Sequence, residues 1–212
     1  MPLDPRIKNV IFDLGGVILD IDFQRAVQAF QQLGISNFHQ LYSQFKQSDV
    51  FDGLEKDRVS PREFYNTLQS HLPADVGMEQ MEIAWNSLIL EYPEANIRLL
   101  EQLQKAGHYR LFLLSNTNRI HFDCYNRQLQ ERFGYPNLGH LLEKEYYSFE
   151  LGMRKPDLEI YQAVQTDAGL IPEETLFIDD TAPNLPPAQS LGWQTHHLTA
   201  ESPLSSLFPE YF

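Results

Sequence analysis

Three stretches of the chain are apolar at consecutive positions instead of at every second one: "VIF" before Asp13, "YRLFLL" before Ser115 and "TLFI" before Asp179. A strand with one face in water alternates apolar and polar residues. Runs without that alternation suit strands covered on both faces, as in a parallel sheet between helices. Helical spacing fills the gaps, with Ile97, Leu100 and Leu103 ahead of the second run and the segment Pro156 to Gln165 ahead of the third. Strand alternating with helix predicts an open α/β sheet.

From about Asp20 to Tyr92 this rhythm stops, and helical patterns follow one another with no strand between them. Phe23, Ala26, Val27 and Phe30 keep i, i+3, i+4, i+7 spacing, with Asp22 as N-cap. "SPRE", Ser60 to Glu63, has the form of a capping box, with Pro61 at the first helical position and Phe64 and Leu68 on the next turns. Met81, Ala84, Trp85 and Leu88 make a third apolar face. The chain therefore reads as an α/β body, residues 1–19 and 93–212, with a helical module, residues 20–92, inserted after the first strand. The end, "SPLSSLFPEYF", carries three aromatics and is expected to pack on the body.

A length of 212 residues suits one sizeable core with a small inserted module. The net charge of −13 argues against nucleic acid as a partner, because a phosphate backbone is held mainly by Lys and Arg. A small anion can still bind if a metal ion or a buried Lys supplies local positive charge. The single cysteine, Cys124, reads as a small buried hydrophobe in a reducing compartment. The start, "MPLDPRIKN", has no apolar stretch of the secretory kind, and no segment reaches the roughly 18 apolar residues of a membrane span. The expectation is a cytoplasmic protein without a membrane partner, a monomer or a homodimer.

Open parallel sheets bind ligands at the carboxyl ends of their strands, and there stand Asp13, then Ser115 with Asn116, then Asp179 with Asp180. Singly, each is an ordinary loop or cap residue. Together, and with Lys155 just ahead of a helix, they have the parts for phosphoryl transfer. A carboxylate can attack phosphorus. Asp13 and Asp180 offer the hard oxygens that Mg²⁺ takes. The Ser115 hydroxyl and the backbone N–H at Asn116 suit phosphate oxygens, and the Lys155 ammonium suits the charge that moves onto them. Two adjacent acids closing a buried strand, Asp179 and Asp180, are costly unless they bind something. The seven histidines show no metal-ligand spacing, and His196–His197, at the end of a presumed last strand, read as surface or packing residues. No third glycine follows Gly15 and Gly16 at dinucleotide-binding spacing.

In order along the chain, "FDLGGV", "LFLLSNTN", "GMRKPDLEIY" and "LFIDDTAPN" resemble the four motifs of the haloacid dehalogenase superfamily, and they span nearly the whole sequence. The helical insert resembles its C1 cap. "FDLGGVILDIDFQRA", "LLSNTNR" and "LGMRKP" are most similar to the bacterial branch that contains α-D-glucose-1-phosphatase-type enzymes. The resemblance implies a Rossmann-like, three-layer core and a Mg²⁺-dependent phosphatase of small phosphorylated metabolites, sugar phosphates among them. It implies Asp13 as nucleophile, Ser115 as phosphate-binding residue and Lys155 as charge stabiliser. Asp180 would be the acidic metal ligand, with the Gly15 carbonyl beside it, Asp179 a second acidic contributor, and Asn184 the residue that orients the loop.

Gly15 departs from the phosphatase pattern, which usually has a second Asp there as general acid and base. Two other readings stay open for that reason: carbon–halogen hydrolysis by the same Asp, and a binding protein that retains the fold without catalysis. In the insert, Asp20, Asp22, Arg25, Glu55, Lys56 and Trp85 are candidates to face a substrate. Each is also explained as solvated helix face or ordinary core. Glu55, in the loop-like "FDGLEKDRVS", is the one carried forward as a substrate contact.

Overall fold

The computed structural model describes residues 3–35, 38 and 50–211. Five strands, β1 (Asn9–Phe12), β2 (Arg110–Ser115), β3 (Lys144–Tyr147), β4 (Thr175–Asp179) and β5 (Gln194–His197), form one sheet in the order β3-β2-β1-β4-β5. Every pairing is parallel. Val10, Phe12, Leu113 and Ile178 pack into the layer on one face, while Ile11, Phe112, Leu114 and Phe177 pack into the other. Successive side chains of a strand leave on opposite faces, and here both faces are dry. That is why these three runs carry no polar alternation.

Helices α1 (Phe23–Gln32), α2 (Val50–Glu55), α3 (Pro61–Gln69) and α4 (Met78–Asn86) lie between β1 and α5 (Glu94–Ala106). Their starts follow the local chemistry. The Asp22 carboxylate accepts the Gln24 N–H at 2.9 Å. Ser60 Oγ accepts from the Glu63 N–H at 3.3 Å, while Glu63 Oε2 accepts from the Ser60 N–H at 2.8 Å. These helices share an apolar cluster that includes Phe30, Phe51, Phe64, Met81 and Trp85, to which the body adds Ile120. Each such side chain contributes about 1.5–3 kcal/mol when fully buried. The module thus holds much of its own core. Its two connections to the body run antiparallel, with Asp20 N–H on the Glu91 carbonyl and Leu90 N–H on the Asp20 carbonyl, both at 2.9 Å.

The remaining helices are α6 (Arg119–Phe133), α7 (Ser148–Leu151), α8 (Leu158–Ala168), α9 (Leu185–Ser190) and α10 (Leu204–Leu207). Leu100 and Leu103 of α5, Tyr125 and Leu129 of α6 and the chain end cover one face of the sheet. Ile160 and Val164 of α8 with Ala188 of α9 cover the other. The result is a three-layer, Rossmann-like α/β fold. Phe208, from the aromatic tail, is fully buried with its ring centroid 6.2 Å from that of Phe12. Cys124 is half-buried against the same layer, and burial pushes its thiol above the usual range. Among the described residues no helix is long and apolar enough to cross a membrane.

Candidate active site

Asp13 is the residue after β1, held in line by its N–H on the Ile178 carbonyl at 2.9 Å. Its Oδ1 accepts the Leu14 N–H at 2.7 Å and lies 2.8 Å from Lys155 Nζ. Lys155 reaches this point from the loop before α8, is 1% exposed, and donates to Asp179 Oδ2 at 2.6 Å. Asn116 holds the lysine's backbone by two bonds, its Oδ1 accepting the Lys155 N–H and its Nδ2 donating to the Lys155 carbonyl, both at 2.8 Å. The Asn116 side chain is thus committed to placing Lys155.

Asp179 closes β4 and is fully buried. The Thr181 N–H reaches its Oδ1 at 2.7 Å, and Asn184 Nδ2 reaches both oxygens at 3.0–3.1 Å. With Lys155 on Oδ2, this carboxylate is surrounded by donors. Asp180, next in sequence, turns toward the cleft. Gly16 has φ 74°, and a Cβ there would stand 2.2 Å from Asp180 Oδ2, so only glycine allows this approach. Asp13, Asp179 and Asp180 each offer an oxygen, all within 4.8 Å of one another.

Charges this close and this dry shift one another. Burial raises the Asp13 carboxyl above the usual range; Lys155 opposes the rise and Asp179 adds to it. Burial also works against the Lys155 charge, but Asp13 and Asp179 outweigh it and hold the ammonium charged. Asp180 is raised by burial and by Asp179.

Asp13, Gly15, Asn116, Lys155 and Asp180 open on one cavity of about 700 Å³. Glu55, from the end of α2, lines it from the side of the helical module. Ser115, which is 2% exposed, lines an adjoining cavity of about 80 Å³ that shares Gly15 and Asn116 with the larger one. The structure thus brings the sequence candidates to one place, with Ser115 at its edge. Asp22 is spent on capping α1, and Trp85 sits in the core of the module. Sequence reading passed over Asp52, Arg154 and Asp157, which line the cavity. Two signals were there: Asp52, Glu55 and Lys56 follow i, i+3, i+4 spacing, and Arg154 and Asp157 flank Lys155–Pro156. It also passed over His121, whose ring stacks on Trp85 with centroids 4.7 Å apart and lines the smaller cavity.

A family model for haloacid dehalogenase-like hydrolases matches residues 7–192. The chain belongs to that family. It is 36% identical over 191 residues to the D-ribitol-5-phosphate phosphatase of Bacteroides thetaiotaomicron, covering 89% of this chain and 90% of that one. It is 26% identical to a sesquiterpene phosphatase of Aspergillus oryzae, covering 91% and 90%. A crystal structure of a family enzyme from Bacteroides thetaiotaomicron, in complex with magnesium and inorganic phosphate, superposes with a TM-score of 0.80 at 35% identity, covering 92% of this chain and 95% of that one. The family membership implied by the four motifs is borne out.

Proposed function

We propose that this protein is a Mg²⁺-dependent phosphatase of small phosphorylated metabolites, working through an aspartyl-phosphate on Asp13, with residues 20–92 acting as a cap over the cleft. The observation that carries the reading is the contact of Asp13 with the buried Lys155, beside Asp180, on a cavity large enough for an organic phosphate. The likeness to the ribitol-phosphate phosphatase and to the magnesium and phosphate complex supports it and extends it to sugar or sugar-alcohol phosphates.

The donor set fits Mg²⁺. Three carboxylates meet with Lys155 as their only ion-pair partner among the described residues, and hard carboxylate oxygens are what that ion takes. Asp179 is already ringed by donors, so Asp13, Asp180 and the Gly15 carbonyl are the groups to hold the ion, with Asp179 supporting them from behind. Bound there, Mg²⁺ supplies positive charge against the phosphate oxygens. A trio of acids built for a cation also sets this reading above carbon–halogen hydrolysis.

An Asp13 carboxylate oxygen attacks phosphorus, the phosphorus–oxygen bond to the alcohol breaks, and its electron pair stays on the departing oxygen. Lys155 holds Asp13 in place and balances charge on the phosphoryl group. Ser115 and the Asn116 backbone N–H bind its oxygens, and Glu55 contacts the alcohol. Gly15 offers no proton, so the departing oxygen takes one from water. A water then hydrolyses the acyl phosphate and frees Asp13. Asp13→Asn is expected to lose turnover on a phosphomonoester panel, and Asp180→Ala to weaken Mg²⁺ binding by calorimetry. Wild-type turnover by Asp13→Asn would remove the mechanism.

A further inference from the structure

The chemistry above uses one wall of the cavity. The facing wall carries a different set of charges. Asp52, Glu55 and Lys56, on one face of α2 and its C-terminal extension, meet Arg154 and Asp157 of the body. Lys56 Nζ lies 3.0 Å from Asp52 Oδ1 and 3.2 Å from Asp157 Oδ2. Arg154 Nη1 lies 3.2 Å from Glu55 Oε2 and 3.5 Å from Asp52 Oδ1. The two cationic side chains are only 12% and 19% exposed, and Asp52 and Glu55 are largely covered with them, while Asp157 stands half-exposed at the edge of the cluster. Among the described lining residues only Ile21, Pro156 and Pro183 bring apolar side chains.

Such a wall has definite demands. An apolar alcohol would strip water from these charged groups and return no hydrogen bonds in exchange for it. A second anionic group on the substrate would meet three carboxylates and two cations, both cations already paired with carboxylates. A hydroxyl both donates and accepts. It can satisfy Asp52 or Glu55 and, by its lone pairs, Lys56 or Arg154.

We infer that Asp52, Glu55, Lys56, Arg154 and Asp157 form the leaving-group subsite, and that it selects a neutral, polyhydroxylated alcohol over an apolar one or one with a second anionic group. The inference rests on Asp13 as the phosphatase nucleophile. It separates this chain from a relative that handles a terpenoid, and it makes Glu55 the nearer of the two carboxylates that deny Arg154 to a substrate anion.

The test measures kcat/KM at saturating Mg²⁺ for a pentitol phosphate, an n-pentyl phosphate, a phosphorylated aldonate that adds a carboxylate, and 4-nitrophenyl phosphate as a reporter of the chemistry alone. The pentitol phosphate is expected to lead the pentyl and aldonate substrates by about 10-fold or more, the effect of one lost hydrogen-bonding partner. Glu55→Gln keeps the shape but removes the nearer of the two carboxylate charges on Arg154, so the aldonate should gain on the pentitol substrate by about 10-fold. Arg154→Gln should move that ratio the opposite way. A gain of that kind is not produced by mere loss of structure, and either folded variant suffices to read it. Turnover of 4-nitrophenyl phosphate with the pentyl or aldonate substrate equal to the pentitol, or a ratio indifferent to both variants, overturns the subsite and leaves the phosphatase standing. No turnover of any of the four overturns both.

Discussion

Gly15 leaves the departing oxygen without a proton donor from the first loop, and installing Asp there tests that directly. A Cβ at Gly15 would stand 3.0 Å from Ile21 Cδ1. That atom is the tip of a side chain that is 43% exposed, so a shift of a few tenths of an ångström by Ile21 makes room. Gly16 offers no such room, since its Cβ would fall on Asp180 and its φ is left-handed. General acid catalysis is worth about 10²–10⁴-fold where the leaving group needs the proton. An aryl oxide leaves unaided, whereas the alkoxide of a sugar-alcohol phosphate does not. Gly15→Asp, with or without Ile21→Ala to widen the space, should therefore raise the ratio of sugar-alcohol phosphate to 4-nitrophenyl phosphate kcat/KM by about 10-fold or more. It should also add an alkaline limb to the pH profile of the alcohol substrate only. An equal change for both substrates, in a variant shown to be folded and to bind Mg²⁺, would mean that proton donation does not limit the wild-type enzyme.

Lys155→Met strands Asp13 and Asp179 in the dry interior, and breaking a buried pair in this way costs about 3–5 kcal/mol. Urea unfolding without Mg²⁺ should show that loss, and adding Asp179→Asn to the variant should recover part of it; additive losses would contradict the pairing. His121 is held down to about 4 by burial, with the Trp85 carbonyl opposing, against 6.5 in the unfolded chain. Between those values the unfolded chain binds more protons, so stability is full above about 6.5 and falls as pH drops toward 4, by about 2–3 kcal/mol for this partly buried ring. In His121→Phe, which keeps the stack on Trp85, urea midpoints between pH 6.5 and 4.5 should fall less steeply than in the wild type. Parallel curves would assign the acid loss to other groups.

The chain by itself determined the elements whose signals are local. β1, β2 and β4 were legible because both their faces are buried and no polar residue interrupts them. β3, "KEYY", sits at the sheet's edge with Lys144 exposed, and its short mixed pattern gave no strand signal. The caps at Asp22 and Ser60 were legible because a cap is satisfied within three residues. Asp13, Ser115, Asp179 and Asp180 were legible because each follows or closes a buried run, where a parallel sheet presents its ligands. The tertiary structure alone decided what each carboxylate does. Asp179 and Asp180 are neighbours in sequence, yet one is ringed by Lys155, Thr181 and Asn184 while the other turns to the cleft through the space left by Gly16. It also decided the facing wall, since Lys56 meets Asp157 across 101 residues of chain. Periodicity reports only which side of an element is dry, and a contact between two polar faces leaves no such mark until the fold brings them together.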